Sequence, residues 1–143
     1  MRLVLLFLGA AALLVAGPGA AADFPPAPAD AAAAGAAGLQ RLATERLKTE
    51  FTGAREERNS RGENYVAHYG ADGRIELRAG SSLIDSGTFS VTGQRGGSLC
   101  LMLDKQMNQR LCSIWFVAPD GVHLFGYNPS DARLRAISRA IPR

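Results

Sequence analysis

The sequence predicts a mainly β domain, an antiparallel meander or small barrel with one N-terminal helix. Three observations predict this class. Apolar and polar residues alternate along several short segments after residue 63, and glycine-containing turns separate these segments at regular spacing. An apolar stripe at helical spacing precedes them. The chain has 143 residues, a length that suits one domain with a modest core.

The N-terminus has the pattern of a cleavable secretory signal peptide. Arg2 precedes an uncharged apolar run that ends at Ala16, and Gly17-Pro18-Gly19 and Ala20–Ala22 then supply helix breakers and small residues. The run is shorter than the roughly 20 residues of a membrane-spanning helix, so an anchor is the less favoured alternative. We expect a signal peptide over 1–22, a mature protein that is periplasmic or secreted, and no stable membrane span after cleavage.

Two segments precede the predicted strands. Residues 23–38 are mainly Ala, Pro and Gly, which predicts a flexible tether or a partly helical Ala run. An amphipathic stretch follows, and Gly53 is a suitable stop, so we predict one helix over 39–51 within a single β domain over 39–143. Its apolar stripe is expected to pack against one sheet face and consists of Leu39, Leu42, Leu47 and Phe51.

The strands are predicted from alternation and from the turn residues between them. Residues 55–63 are charged and polar, which predicts a loop or a weak edge strand. Gly70-Ala71-Asp72-Gly73 and Pro119-Asp120-Gly121 have the residues that tight turns require. Residues 131–141 fit either a helix or a strand that completes the sheet, and we favour the strand. Six other strands are predicted, over 64–69, 74–79, 86–92, 98–103, 110–118 and 122–127.

The two cysteines, Cys100 and Cys112, predict a disulfide bond. An exported protein with an even cysteine count usually pairs its thiols. If residues 98–118 form a hairpin centred on Gln106, the two cysteines lie directly opposite each other, at a spacing that a disulfide tolerates. The same register gives the hairpin two apolar faces. One should line the barrel interior, and the predicted helix, or else a ligand or partner, should cover the other.

Charge and motif content argue against several classes of function. The formal net charge is +3 and the basic residues are spread along the chain, so nucleic-acid binding is not expected. His68 and His123 have no ligand spacing with the cysteines, so we expect no metal and no cofactor. No recognised catalytic motif is present, and we predict a protein that is not an enzyme.

Four aromatic residues are candidates for lining a ligand pocket in such a barrel: Tyr65, Tyr69, Trp115 and Tyr127. Ordinary aromatic core packing is the alternative role for each of them.

The predicted arrangement resembles a family of small secreted proteobacterial proteins of unknown function with a lipocalin-like partial barrel. The resemblance covers most of the predicted mature chain and implies a fold, but no activity. It rests on the following segments: 39–53 ending in Glu50-Phe51-Thr52-Gly53, the strand 65–69 with Asp72-Gly73, Asp85-Ser86-Gly87-Thr88-Phe89, Leu99-Cys100-Leu101, and Cys112.

A second resemblance concerns the late hairpin. Trp115, followed by the segment from Ala118 to Leu124, is similar to a hairpin of secreted bacterial metalloprotease inhibitors. Those proteins are small disulfide-bridged barrels whose N-terminal segment enters the protease cleft. This resemblance implies that residues 23–38 would serve in the same way.

Three hypotheses of function follow from the sequence. The first is an exported, non-enzymatic binding module of the bacterial envelope, whose partner is a small apolar ligand or an envelope component. The second is a secreted barrel-type protease inhibitor. The third is an enzyme with a site that sequence does not reveal, for which a concave cluster around His68 or His123 would be the sign.

Overall fold

A computed structural model describes residues 23–107 and 109–142 of the chain. The predicted signal peptide, residues 1–22, lies outside the described residues. In the described part of the chain, no helix has the length and apolar character needed to cross a membrane.

The described residues form two short α-helices, two 3-10 turns and eight strands. The helices are α1 (Ala31–Ala36) and α2 (Thr44–Phe51). The strands are β1 (Arg55–Ser60), β2 (Glu63–Tyr69), β3 (Arg74–Ala79), β4 (Ser82–Thr92), β5 (Ser98–Leu103), β6 (Arg110–Val117), β7 (His123–Tyr127) and β8 (Leu134–Ala140).

The strands form a closed antiparallel barrel in sequence order, which confirms the predicted fold class. Each strand pairs with its neighbours in the chain, and β1 pairs with β8 to complete the ring. Closure satisfies the backbone hydrogen-bonding groups that an open sheet leaves at its two edges. Residues 134–140 are therefore strand, as the sequence analysis favoured.

Strand β1 corrects one prediction. Residues 55–63 were predicted as a loop or weak edge strand, yet β1 is paired along its length on both sides, with β2 and with β8. The prediction missed it because the inward positions of β1 are Glu56, Arg58 and Ser60, so the strand lacks the apolar alternation that marks a half-buried strand.

The predicted helix is shorter than expected and packs elsewhere. It begins at Thr44, because residues 40–42 are extended and pair with β6: Leu42 N donates to Trp115 O and Val117 N donates to Gln40 O, both at 2.8 Å. Helix α2 does not cover an outer sheet face. Its buried Leu47 and Phe51 join the barrel core, so α2 closes one end of the barrel.

Residues 23–41 run along the outside of the barrel, where the sequence predicted a flexible tether. Tyr127 donates its hydroxyl to Pro28 O at 2.9 Å, and Ala31 N donates to Ala132 O at 2.8 Å. The Ala-rich run forms α1, the other structure that its composition allowed. Small side chains let this segment approach the sheet closely, and it shields the outer apolar cluster of β6–β8: Ile114, Phe116, Ala118, Phe125 and Tyr127.

The predicted cysteine hairpin is confirmed. Strands β5 and β6 pair in the register centred on Gln106, with Cys100 opposite Cys112 at a Cα–Cα distance of 4.0 Å and the sulfurs bonded. Leu99 and Leu101 point into the barrel core, and the disulfide lies on the other face of the sheet.

An aromatic cluster fills the end that α2 closes, which we call the closed end. The ring of Phe51 lies 5.2 Å from that of Tyr69 and 5.1 Å from that of Trp115. The indole of Trp115 rests against Gly126, where an added Cβ would lie 2.7 Å from two ring carbons. Only glycine leaves room for the indole here, so Gly126 fixes where Trp115 sits.

Candidate functional site

The opposite end of the barrel holds a cavity of about 260 Å³ that opens to the outside, and we call this cavity the cup. It lies where β1, β3 and β5 end and where β2, β4, β6 and β8 begin. Four leucines from three strands supply its apolar wall: Leu77, Leu101, Leu103 and Leu111. The volume is just below the usual range for drug-sized ligands, roughly 300–1,000 Å³, so it suits a small molecule.

Arg58 is the buried basic residue of the cup. Its side chain comes from the middle of β1, and the residue is only 6% exposed. Nη1 donates to the hydroxyl of Tyr69 at 2.8 Å, and the guanidinium carbon lies 5.1 Å from the centre of the Trp115 ring. Nε is buried without a hydrogen-bond partner. The closed-end aromatics therefore hold the cation while part of its donor capacity stays unused.

Glu56 lies one inward position below Arg58, towards α2. Its carboxylate accepts a hydrogen bond from the buried hydroxyl of Ser138. Burial raises the pKa of Glu56 to about 7, against the lowering effects of the Ser138 hydrogen bond and the Arg58 charge, while Glu50 on α2 adds a small raising effect. Near neutral pH this carboxyl is therefore partly protonated and neutralises Arg58 incompletely.

The second buried charge of the cup is Asp85, which stands on β4. Its Oδ1 accepts hydrogen bonds from the backbone of Ser86 at 2.8 Å and of Lys105 at 3.2 Å. These contacts tie β4 to the turn that joins β5 to β6. Because its carboxylate already has donors, Asp85 serves the structure of the rim.

The rim carries further charges, of which Glu63 and Arg135 are engaged and Arg61 is exposed to solvent. Tyr65 donates its hydroxyl to Glu63, and Arg135 forms an ion pair with Asp131. Such pairs near solvent contribute little to stability. These paired charges partly cancel, which reduces the electric field at the entrance of the cup. The buried positive charge of the cup is that of Arg58.

The four predicted pocket aromatics are divided among three places. Tyr65 lines the cup. Tyr69 and Trp115 lie in the core beneath it, where both contact Arg58. Tyr127 points to the outside of the barrel, packs edge-on to Phe116 at 5.7 Å and bonds Pro28, so the structure does not bring it to the cup.

The two histidines are both away from the cup. His68 faces outward on β2, opposite Glu76 of β3. His123 lies on the outer face of β7, 2.5 Å from an oxygen of Asp120 and beside the ring of Phe24. Hydrogen bonds from the backbone of His123 and Val122, and then from the His123 side chain, lower the pKa of Asp120 to about 2. Within residues 23–107 and 109–142, no cluster of three metal-ligating side chains occurs.

Sequence reasoning missed Arg58 and Glu56, the residues that give the cup its chemical character. Both lie on β1, the strand that hydropathy did not reveal. The one available signal was the polar spacing at positions 56, 58 and 60, which has a period of two but carries no apolar residue. Such a pattern identifies an inward-facing strand only after the rest of the barrel is known.

Comparisons with known proteins do not assign a family. No family profile, curated protein or solved structure matches the chain. The two resemblances drawn from the sequence therefore stay predictions, and the cup is the structural feature that bears on function.

Proposed function

We propose that this protein is an exported, non-enzymatic binding module that takes up a small, partly apolar ligand through the open end of its barrel. The observation that carries this proposal is the cup: an open cavity with a leucine wall, in a barrel whose other end is packed. Pockets that combine an apolar lining with a few polar groups are the usual sites for small molecules. The disulfide fits the oxidising envelope compartment in which such a module would act.

Two features favour binding over the alternative functions. The polar groups around the cup are engaged in structural contacts: the Ser113 hydroxyl accepts from Trp115 Nε1 at 2.9 Å, and Asp85 holds two backbone N–H groups. A hydrolase needs a nucleophilic group that can reach the substrate and that is hydrogen-bonded to a general base. An inhibitor of the type described above needs a free N-terminal segment, whereas this segment is hydrogen-bonded to the barrel at Pro28, Ala31 and Gln40.

Native mass spectrometry of protein purified from its own host provides the test. We expect a mass excess that disappears under denaturing conditions, because a ligand held in the cup is bound without a covalent bond. The released molecule is then identified by extraction and small-molecule mass spectrometry.

A matched pair of variants locates the bound molecule. Leu103→Trp places an indole in the cup and is expected to abolish the mass excess, because Leu103 lines the cavity. Leu83→Trp makes the same change at an exposed position of β4 outside the cup and is expected to retain it. Persistence of the mass excess in a folded Leu103→Trp protein, or its absence from the wild type, would refute the proposal.

A further inference from the structure

Arg58 has a hydrogen-bond donor without a partner, and this feature indicates the chemical class of ligand that suits the cup. A buried guanidinium is stable only when charge and hydrogen bonds compensate for its lost hydration. Arg58 has one side-chain hydrogen bond, from Nη1, and a cation–π contact with Trp115. Nε is buried and unpartnered, and within the described part of the chain no acidic side chain forms an ion pair with Arg58.

We propose that Arg58 is a recognition residue for the carboxylate head of a short-chain amphiphile, whose aliphatic part lies along the leucine wall of the cup. This inference rests on the proposed function and makes it more specific. A planar guanidinium matches a carboxylate in shape, and charge-assisted hydrogen bonds of this kind are stronger than neutral ones.

The neighbouring charges explain why one negative charge fits better than two. Glu56 is partly protonated near neutral pH, so it competes with a ligand anion only in part. The other charges that line the cup are of both signs: Glu63 and Asp85 are acidic, and Arg61 and Arg135 are basic. One buried guanidinium compensates the single charge of a carboxylate, whereas the second charge of a phosphate monoester would have as its partner only the exposed Arg61 or the ion-paired Arg135.

The size of the cup sets the length of the chain. A volume of about 260 Å³ admits a small molecule and excludes a long acyl chain from full burial. Octanoate is therefore a suitable probe, and octanol, octylammonium and octyl phosphate share its chain but differ in the charge of the head.

Calorimetric titration of the wild-type protein with these four probes at neutral pH is the first test. We expect octanoate to bind about ten-fold or more tightly than octanol, which corresponds to one charge-assisted contact, and octylammonium to bind most weakly. Octanol binding as tightly as octanoate would overturn the carboxylate inference and leave the binding function intact. Tighter binding of octyl phosphate would also overturn it. Failure of all four probes to bind would overturn the carboxylate inference, while the mass excess of the native protein separately decides the binding function.

Variants of Arg58 give the second test. Arg58→Met retains a long unbranched side chain but removes the charge, and it is expected to bind octanoate and octanol equally. Arg74→Met removes one positive charge from an exposed position at the closed end, outside the cup, and is expected to keep the wild-type preference. Retention of the octanoate preference in Arg58→Met would refute the role of Arg58.

A spectroscopic readout separates recognition from a merely structural role. Trp115 is the chain's single tryptophan, and its ring faces the Arg58 guanidinium. A carboxylate at Arg58 is expected to change the tryptophan emission, whereas octanol should change it less. If Arg58→Met does not fold, the wild-type probe series and this emission difference still decide the question. Equal emission changes with octanoate and octanol would count against the inference.

Discussion

The closed and open ends of the barrel are made by the same eight strands but are filled in different ways. At the closed end, α2 supplies Leu47 and Phe51 to a core that includes Tyr69 and Trp115. At the open end, no α-helix of the described residues enters the barrel, and the strands, with the short 3-10 turn Asp104–Gln106 at the rim, leave a cup with a leucine wall and a buried arginine.

Under the proposed function, the difference between the two ends separates stability from binding. Close packing of apolar groups contributes most of the stability of a small domain, and it needs a filled interior. Binding needs space and a few uncompensated polar groups. By placing an aromatic cluster at one end, the barrel supports Arg58 from below through Tyr69 and Trp115 while its upper side stays accessible.

The largest expected effect comes from the closed end. Phe51→Ala should lower the free energy of unfolding by about 3–5 kcal/mol, because Phe51 is fully buried and its removal leaves a cavity between two aromatic rings. Urea unfolding followed by circular dichroism measures this change. A loss within about 0.5 kcal/mol, the range typical of surface substitutions, would mean that α2 does not support the barrel.

The disulfide connects the two strands next to the cup and has the second largest expected effect. Replacing Cys100 and Cys112 by Ala should lower stability by about 2–4 kcal/mol, because the bond closes a loop with a sequence separation of 12 and restricts the unfolded chain. Chemical denaturation of the double variant gives the value.

Binding in the same disulfide variant gives a control. Cys112 lines the cup, but the disulfide lies on the face of the sheet opposite Leu99 and Leu101, so the molecules that stay folded should bind with nearly wild-type affinity. Weakened binding by a fully folded double variant would show that the bond shapes the cup.

The sequence predicted the closed end better than the open one, and the reason is physical. Strands β3 and β4 alternate apolar with polar residues, and β5 to β7 are apolar along most of their length. The cysteine register follows from the symmetry of one hairpin. Strand β1 has charged inward residues, because Arg58 and Glu56 belong to the site. The feature that gives the site its chemistry therefore also concealed the strand that carries it.

Residues 23–41 were predicted poorly for a different reason. Composition describes how much surface a segment can bury by itself, and an Ala-rich segment buries little. This segment instead adds to an apolar surface that the barrel already presents, through backbone hydrogen bonds to Val117, Ala132 and Leu134. The surface on which the segment docks exists only after the strands have paired, so no local sequence pattern predicts the contact.

The third expected effect links pH to the buried carboxyl of Glu56. Its pKa is about 7 in the folded protein against an ordinary value of 4.5, so the folded state binds more protons between these values than the unfolded state does. Stability should therefore fall as the pH rises from about 4.5 to about 7 and then level off. The full loss is about 3 kcal/mol at most.

Glu56→Gln removes this pH dependence, because the amide stays neutral and its oxygen still accepts from Ser138. The difference in the free energy of unfolding between the variant and the wild type should be up to about 2–3 kcal/mol more favourable to the variant at pH 8 than at pH 4.5. Thermal and urea unfolding across this pH range measure the two curves. Parallel curves for the two proteins would show that Glu56 is not the group that titrates.

The smallest expected effect is that of Leu103→Ala, which is compared with the same substitution at the closed end. Leu47→Ala at the closed end should cost about 2–5 kcal/mol, because Leu47 is fully buried and its removal creates a cavity. Leu103→Ala at the open end should cost only about 1–2 kcal/mol, because one side of Leu103 already faces the cup and loses few contacts.

Urea unfolding of both variants under one condition gives the comparison of stability, and binding of octanoate provides a second measurement. Leu103→Ala should weaken octanoate binding although it barely affects the fold, since it removes part of the apolar wall, whereas Leu47→Ala should leave the affinity of the folded fraction unchanged. Equal stability losses at the two positions would mean that the open end is packed as tightly as the closed one, which leaves no cup for a ligand to fill.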